Sequence, residues 1–447
     1  MKQIIAVVKK IVRHAVRHPL ATIRQLSPRN LFRLVEFFRY GELDNFDALF
    51  ALYGGAGQVP EGEPPRPPCA LAQSSDSRPT ILVIDQQVPH FDADAGARAT
   101  YQYLQLFCSL GMRVLFLGDT FNRDEPYATL LEREGVELLA GDWYRRNWRG
   151  WLERNGRYID FVYLNRPRIS RPYVAPLRRH TRAMLIYQGH DLHFLRLRRK
   201  FEIVGGKRLL KQARFYEQLE RDLVGRCDRV FTFSQAEKEL MERAWGAANV
   251  QVVPLHIYGD LAAPTDGFAV RRDLLFVGSF AHAPNVDAVT WFVRDILPIV
   301  RRHMPEVRLV VVGSKATDAV RALASDCVIV AGRVDDRRLG ELYRQSRLVV
   351  VPMRYGAGMK GKVLEAFRYG VPIVATSIAL EGMPQIGGLI SPQDAAEAFA
   401  AEVVGLYRDQ RRWERMSAGE IDYLREHFSR EAACRIVADV LGLEACR

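Results

Sequence analysis

Eleven short runs of β-branched and apolar residues, separated by stretches of helical character, constrain this chain more than any other feature. They fall in two series. The first reads ILVID (81–85), VLFLG (114–118), FVYL (161–164), MLIY (184–187), VFTF (230–233) and VQVVPL (250–255). After a polar break near 257–272 the second reads LLFVG (274–278), RLVVVG (308–313), VIVAG (328–332), LVVVP (348–352) and PIVAT (372–376). Runs that are apolar throughout, alternating with helices, indicate parallel strands buried on both faces in βαβ units. Two series predict two doubly wound α/β domains, which suits a chain of 447 residues, since one core rarely grows past about 250–300. Ligands of such sheets bind at the carboxyl ends of the strands, so two domains facing each other enclose a cleft lined by those ends.

The loops after strands are therefore where chemistry is expected. GSFAHAPN (278–285) brings Gly278, which lets backbone approach a ligand, and the Ser279 hydroxyl; a plain strand-to-helix turn is the competing reading. GRVDD (332–336) carries Asp residues suited to a helix start. RYGAGMKGK (354–362) puts Gly358, Gly361, Lys360 and Lys362 in front of a helix, a pattern for an anion site built from amides and ammonium groups. Three such loops suit a nucleotide diphosphate. Glu365, in the first turns of the helix that follows, either complements the helix dipole or accepts from the two hydroxyls of a ribose.

The first series offers PHFDADAGARATYQYLQLF (89–107), where Gly96 sits at a loop-to-helix junction and Arg98 follows. It also offers IYQGHDLHFLRLRRK (186–200), where His190 and His193 flank Asp191. The H-x-x-H spacing lacks the i, i+4 geometry of a helical zinc pair, and no metal site is expected. His190 is either a satisfied structural residue or a polar group lining the cleft and sharing a proton near neutral pH.

Charge adds context. The net charge is +12, and up to residue 40 nine Lys or Arg stand against Glu36 alone. Ile4, Ile5, Val8, Ile11, Val12 and Val16 recur near helical spacing there. The stripe reads either as a helix packed on its own domain or as an interfacial helix on an anionic leaflet. Residues 190–214 hold eight Lys or Arg and two acids, a solvated helix face or a patch for phospholipid or a lipid-linked phosphate. No recognition helix, zinc finger or aromatic RNA-binding motif supports nucleic acid as a partner. Six scattered cysteines fit a reducing cytoplasm, and neither a signal peptide nor a membrane span is evident.

Taken together, FVGSFAHAPNVDAVTWFVRDILPIV, GRVDDRRLGELYRQSRLVVVPMRYGAGMKGKVLEAFRYGVPIVATSIALEGM and IYQGHDLHFLRLRRKFE resemble the group 1 (family 4) glycosyltransferases, in the branch of bacterial surface-polysaccharide clusters. The resemblance runs from about residue 80 to 440 and is strongest over 274–383. It implies the GT-B arrangement of an acceptor domain (80–257), a donor domain (258–425) and a C-terminal helix crossing back (426–447), in front of which composition adds a helical basic extension (1–53) and a Gly-, Pro- and Ser-rich linker (54–79). It further implies a retaining, metal-independent transfer with no cofactor, from a nucleotide-sugar donor to a glycan or polyprenyl-linked acceptor. The enzyme would be cytoplasmic, or peripheral at the inner face of the cytoplasmic membrane.

By this resemblance Glu365 grips the ribose, and the backbone at Gly361 and Lys362 meets the diphosphate. Arg333 and Val334 lie against the base, Gly96 faces the donor phosphate, and His190 stands near the transferred sugar. The family's first glutamate, eight positions before the second, is Ala357 here, and AHAPN replaces the cationic pair after the GS turn. Lys360 and Lys362, with Arg354, are expected to supply the phosphate charge, Lys360 as a catalytic group beside His190. Ala357 also motivates a competing expectation, a non-catalytic GT-B scaffold of a membrane-bound glycan assembly complex. A nucleotide-sugar epimerase is a third.

Overall fold

The computed structural model describes residues 71, 77–92, 95–259, 261 and 266–443. The basic stretch 1–53 and nearly all of the linker 54–79 lie outside the described residues.

All eleven apolar runs form strands, and among the described residues a twelfth joins them. The strands are β1 (Thr80–Asp85), β2 (Arg113–Gly118), β3 (Val136–Leu138), β4 (Phe161–Asn165), β5 (Met184–Gln188), β6 (Arg229–Thr232), β7 (Val250–Val252), β8 (Arg272–Val277), β9 (Leu309–Val312), β10 (Val328–Gly332), β11 (Ser346–Val351) and β12 (Ile373–Ala375). Helices that bear on the site are α1 (Ala95–Ser109), α2 (His193–Val204), α3 (Lys207–Arg226), α4 (Gln235–Trp245), α5 (Ala283–Trp291), α6 (Asp336–Gln345), α7 (Gly361–Arg368), α8 (Gln410–Phe428) and α9 (Arg430–Leu441).

The chain divides into two compact units. The first holds the parallel strands β3-β2-β1-β4-β5, in that order. Every residue of β1 is buried, as expected of a strand covered on both faces. The second holds the parallel pair β6–β7 and a five-stranded parallel sheet in the order β10-β9-β8-β11-β12. In β11, Leu348, Val349, Val350 and Val351 are fully buried, each stabilising the fold by roughly 1.5–3 kcal/mol.

The units do not follow the chain simply. The sequence reading keeps 80–257 together, whereas 89–111, 190–192 and everything from 230 onward group with the second unit. The cause is α1. It packs on α9, the Tyr103 hydroxyl donates to Pro254 O at 2.7 Å, and Gln102 Nε2 donates to Ile257 O at 2.7 Å.

One buried cation positions α7. The Arg271 side chain donates to Asp266 O (2.9 Å), Tyr343 O (3.1 Å), Ser346 O (3.3 Å) and Tyr369 O (3.0 Å), and stacks on Trp413. Tyr343 O lies in the last turn of α6 and Tyr369 O just past α7, where helix carbonyls lack partners and favour positive charge. Burial brings the guanidinium down to about 10, which leaves it charged at neutral pH.

Candidate active site

The loop before α7 turns on two glycines. Gly356 has φ +154° and Gly358 φ +67°, backbone that side chains with a Cβ rarely adopt. A Cβ on Gly358 would stand 2.9 Å from Asp191 Cβ and 3.5 Å from His190 O, so the turn lies directly against the His190–Asp191 segment. His190 itself has φ +68°, and its ring sits edge-on to Phe233 at 5.8 Å. Lys360 is the N-cap residue of α7, and its Nζ donates to Ala357 O at 3.2 Å and to Gly358 O. The ammonium group expected to meet phosphate therefore ties down its own loop.

Lys362 is placed differently. Its Nζ donates to Asn285 Oδ1 at 2.6 Å, approaches Met353 Sδ at 3.9 Å and lies 4.7 Å from the centre of the Phe276 ring. A Cβ on Gly278 would come within 3.0 Å of that Nζ and 2.8 Å of Asn285 Cγ. The GS turn and α7 thus meet at Lys362, which is possible because residue 278 is glycine. Burial, with Lys360 adding to it, brings the Lys362 ammonium down to about 7. The Ser279 hydroxyl is engaged with Ser314 Oγ at 3.2 Å, and Asn285 Nδ2 donates to Ser279 O at 2.8 Å.

Glu365 projects from α7 with its side chain 14% exposed. Its Oε1 accepts from Arg98 Nη1 and from the Tyr258 hydroxyl, each at 3.1 Å. Its Oε2 faces Arg368 Nη1 at 3.9 Å, beyond hydrogen-bond distance. One oxygen is held by the fold and the other is available to a ligand hydroxyl.

The start of α7 is equally crowded. A Cβ on Gly361 would lie 2.8 Å from His256 Nε2 and 3.4 Å from Ala95 Cβ, the neighbour of Gly96. His256 is buried, its Nδ1 is 3.2 Å from Gln102 Oε1, and burial, with Arg98 and Arg368 adding to it, depresses its pKa to about 3. A neutral imidazole and the N-terminus of a helix, where Val363 N already donates to Lys360 O at 2.9 Å, are compatible with an anion nearby.

Behind the His190–Asp191 segment stands a buried acid. Glu237 Oε1 accepts from Leu192 N and Oε2 from the Thr232 hydroxyl, both at 3.0 Å. Its own N–H donates to Ser234 Oγ at 3.3 Å at the start of α4. Burial, with Asp191 adding to it, raises the carboxyl to about 7.

Of the sequence candidates, the structure gathers Gly278, Gly358, Lys360, Gly361, Lys362, Glu365 and the His190 backbone around the N-terminus of α7, and brings the loop of Gly96 against it. Arg333 and Val334 sit in the turn between β10 and α6, where Arg333 Nη2 pairs with Asp92 Oδ2 at 3.5 Å. Arg354 is paired with Asp287 and lies over Trp291. Tyr258, His256, Asn285 and Glu237 were not anticipated. The first two follow directly on the strand run VQVVPL, the position where ligand-facing residues of this fold belong. Among the described residues, no three His, Cys, Asp or Glu side chains stand close enough to hold a metal ion.

Two parallel α/β sheets of this kind define the GT-B fold, and solved structures agree. The chain is similar to sucrose-phosphate synthase from Thermosynechococcus elongatus (TM-score 0.62, 16% identity, 81% of this chain and 98% of that one). It is similar to the pneumococcal O-GlcNAc transferase GtfA, solved with UDP and GlcNAc (TM-score 0.61, 10% identity, 82% and 99%). It is also similar to HepE of Anabaena, solved with UDP and glucose (TM-score 0.58, 17% identity, 81% and 99%). Residues 271–409 match the family model of the glycosyl transferases group 1, so the resemblance read from the sequence holds there. A curated relative from Klebsiella pneumoniae, described as an uncharacterized 44.6 kDa protein in the cps region, is 25% identical over 182 residues. That match takes in 38% of this chain and 45% of the relative, so the chain spans under half of the relative's length.

Proposed function

We propose that the chain is a glycosyltransferase that moves a hexosyl or deoxyhexosyl group from a nucleotide-diphosphate donor to a glycan or lipid-linked glycan acceptor in cell-surface polysaccharide synthesis. The observation that carries this is the meeting of Lys362, the glycine turn and Glu365 around one helix N-terminus: cation and amides for a diphosphate, a half-satisfied carboxylate for a ribose. UDP in two of the neighbouring structures and the cps setting of the Klebsiella relative support it.

In the proposed reaction the bond between the anomeric carbon and the diphosphate oxygen breaks, and its electron pair stays on the diphosphate. Lys362 and the amides of α7 stabilise that charge without a cofactor. The acceptor oxygen forms the new bond on the same face, retaining configuration, and its proton passes to the departing diphosphate. His190, held at the glycine turn, borders the transferred sugar. The proposed location is the cytoplasmic side of the cytoplasmic membrane.

Ala357 favours the second reading, a scaffold that does not turn over donor. Thermal shifts with UDP, GDP, dTDP, ADP and CDP, on wild type and Glu365→Ala, test the site. Saturation at about 100-fold over Kd stabilises by about 2.7 kcal/mol. One diphosphate stabilising the wild type and failing on Glu365→Ala supports the assignment, and nucleotide release from the matching sugar donor then separates enzyme from scaffold. No response to any of the five removes the nucleotide site.

A further inference from the structure

A transferred hexose presents hydroxyls that need acceptors, and the glycine turn before α7 is poor in them. Lys362 and the start of α7 suit the diphosphate, and Glu365 suits the ribose. Of the turn's own carbonyls, Ala357 O and Gly358 O are already engaged by Lys360 Nζ, and Ala357 has no polar side chain. The segment that faces the turn is His190–Leu192, which groups with the same unit. A Cβ on Gly358 would lie 2.9 Å from Asp191 Cβ and 3.6 Å from Asp191 Cα, so this acid is seated directly against the turn, and it is half-buried there.

We propose that Asp191 is the sugar-binding carboxylate of the site, accepting from a ring hydroxyl of the transferred hexose beside the Gly358 turn. The inference rests on the donor reading given above and names the residue that reads the sugar. Capping does not explain this acid. The amides that open α2 are served by others: Leu192 N donates to Glu237 at 3.0 Å, and His193 N and Phe194 N donate to Glu220 at 2.8 and 3.2 Å. Glu237 is the acid behind the segment, 2% exposed with both oxygens accepting, so a ligand at the turn meets Asp191 instead. The chain just ahead of Asp191 is strained, since His190 has φ +68°, and strain of this kind concentrates where a site needs a particular direction of the chain. A hydroxyl given to a carboxylate is a strong and selective contact. The donor is therefore a hexose with a free hydroxyl on the edge facing Gly358, and a sugar deoxygenated at that carbon forfeits the contact.

Titration calorimetry of the full chain, as wild type, Asp191→Ala and Asp191→Asn, tests it. The ligands are UDP, GDP, dTDP, ADP and CDP and their glucose, galactose and mannose conjugates. Asp191→Ala is expected to bind the sugar nucleotide about tenfold more weakly than wild type, and the free diphosphate of the same base within about twofold of it. Asp191→Asn keeps the shape of the segment and loses about threefold or more; it carries the test where circular dichroism melts show the alanine variant unfolded. Glu365→Ala, by contrast, weakens both ligands. A folded Asp191 variant that binds the sugar nucleotide as wild type does overturns the proposal. So does one that loses the free diphosphate equally, which makes Asp191 a support of the loop. Wild type that binds none of the five diphosphates refutes the donor reading itself, a result distinct from the other two that takes this inference with it.

Discussion

Under the proposed function, the depressed pKa of Lys362 makes diphosphate binding a proton-uptake reaction. Free, the ammonium titrates at about 7, because burial, with Lys360 adding to it, disfavours its charge. A diphosphate beside it supplies the missing counter-charge and restores a pKa near the ordinary lysine value. At pH 8 the free side chain is then about 10% protonated and the bound one almost fully, so binding takes up about 0.9 proton. At pH 6 both are protonated and the uptake falls to about 0.1. Affinity follows: between pH 7 and 8.5 it falls about fifteenfold, a window in which a terminal phosphate with a pKa near 6 no longer titrates. The assay is calorimetry of UDP, or of whichever diphosphate stabilises the protein, at pH 8 in buffers of different ionisation enthalpy. Wild type should show an enthalpy that scales with the buffer, and Lys362→Met should bind weakly with none of that dependence. Intact wild-type binding whose enthalpy ignores the buffer refutes the placement of Lys362 at the phosphates.

Other outcomes follow from the same geometry. Glu237 titrates near 7 in the folded chain against about 4.5 unfolded, so its contribution is full below pH 4.5 and lost as pH rises through 7. The swing is about 3 kcal/mol, and Glu237→Gln should flatten that part of a stability-versus-pH curve measured by urea unfolding. His256 behaves oppositely: its depressed pKa holds stability above pH 6.5 that is lost as pH falls toward 3, and His256→Gln should shift the acid midpoint seen by circular dichroism. Gly361→Ala places a Cβ 2.8 Å from His256 Nε2, so a cost of about 1–3 kcal/mol and a loss of nucleotide thermal shift are expected. Arg271→Met strands four backbone carbonyls and should cost roughly 3–5 kcal/mol in chemical denaturation.

The strands were legible because buried parallel strands are written as uninterrupted apolar runs between helices. β3 was not, since three residues with only Val136 fully buried leave too short a signal. The loops of the site were legible for a similar reason: glycine at a strand end announces close approach. What those loops approach was not. Glu365 meets Arg98 across 267 positions of chain and Tyr258 across 107, and no local pattern encodes such pairs. Lys360 and Lys362 look alike in sequence, yet one ammonium folds back on its own carbonyls and the other reaches the GS turn. The sequence supplies the charge, and the backbone of the turn decides where it points.

With Glu365 on the ribose as proposed, its two oxygens bear on which cellular pool of nucleotides the chain can use. With Oε1 committed to Arg98 and Tyr258, recognition of the sugar falls to Oε2 alone, and a single acceptor already beside a cation pairs best with two neighbouring hydroxyls at once. A donor built on deoxyribose offers only one of them. It would leave a partly desolvated carboxylate oxygen short of a partner, a penalty of about 1–3 kcal/mol. That is about a five- to 150-fold preference for ribonucleotide donors, set by the chain's own internal hydrogen bonds.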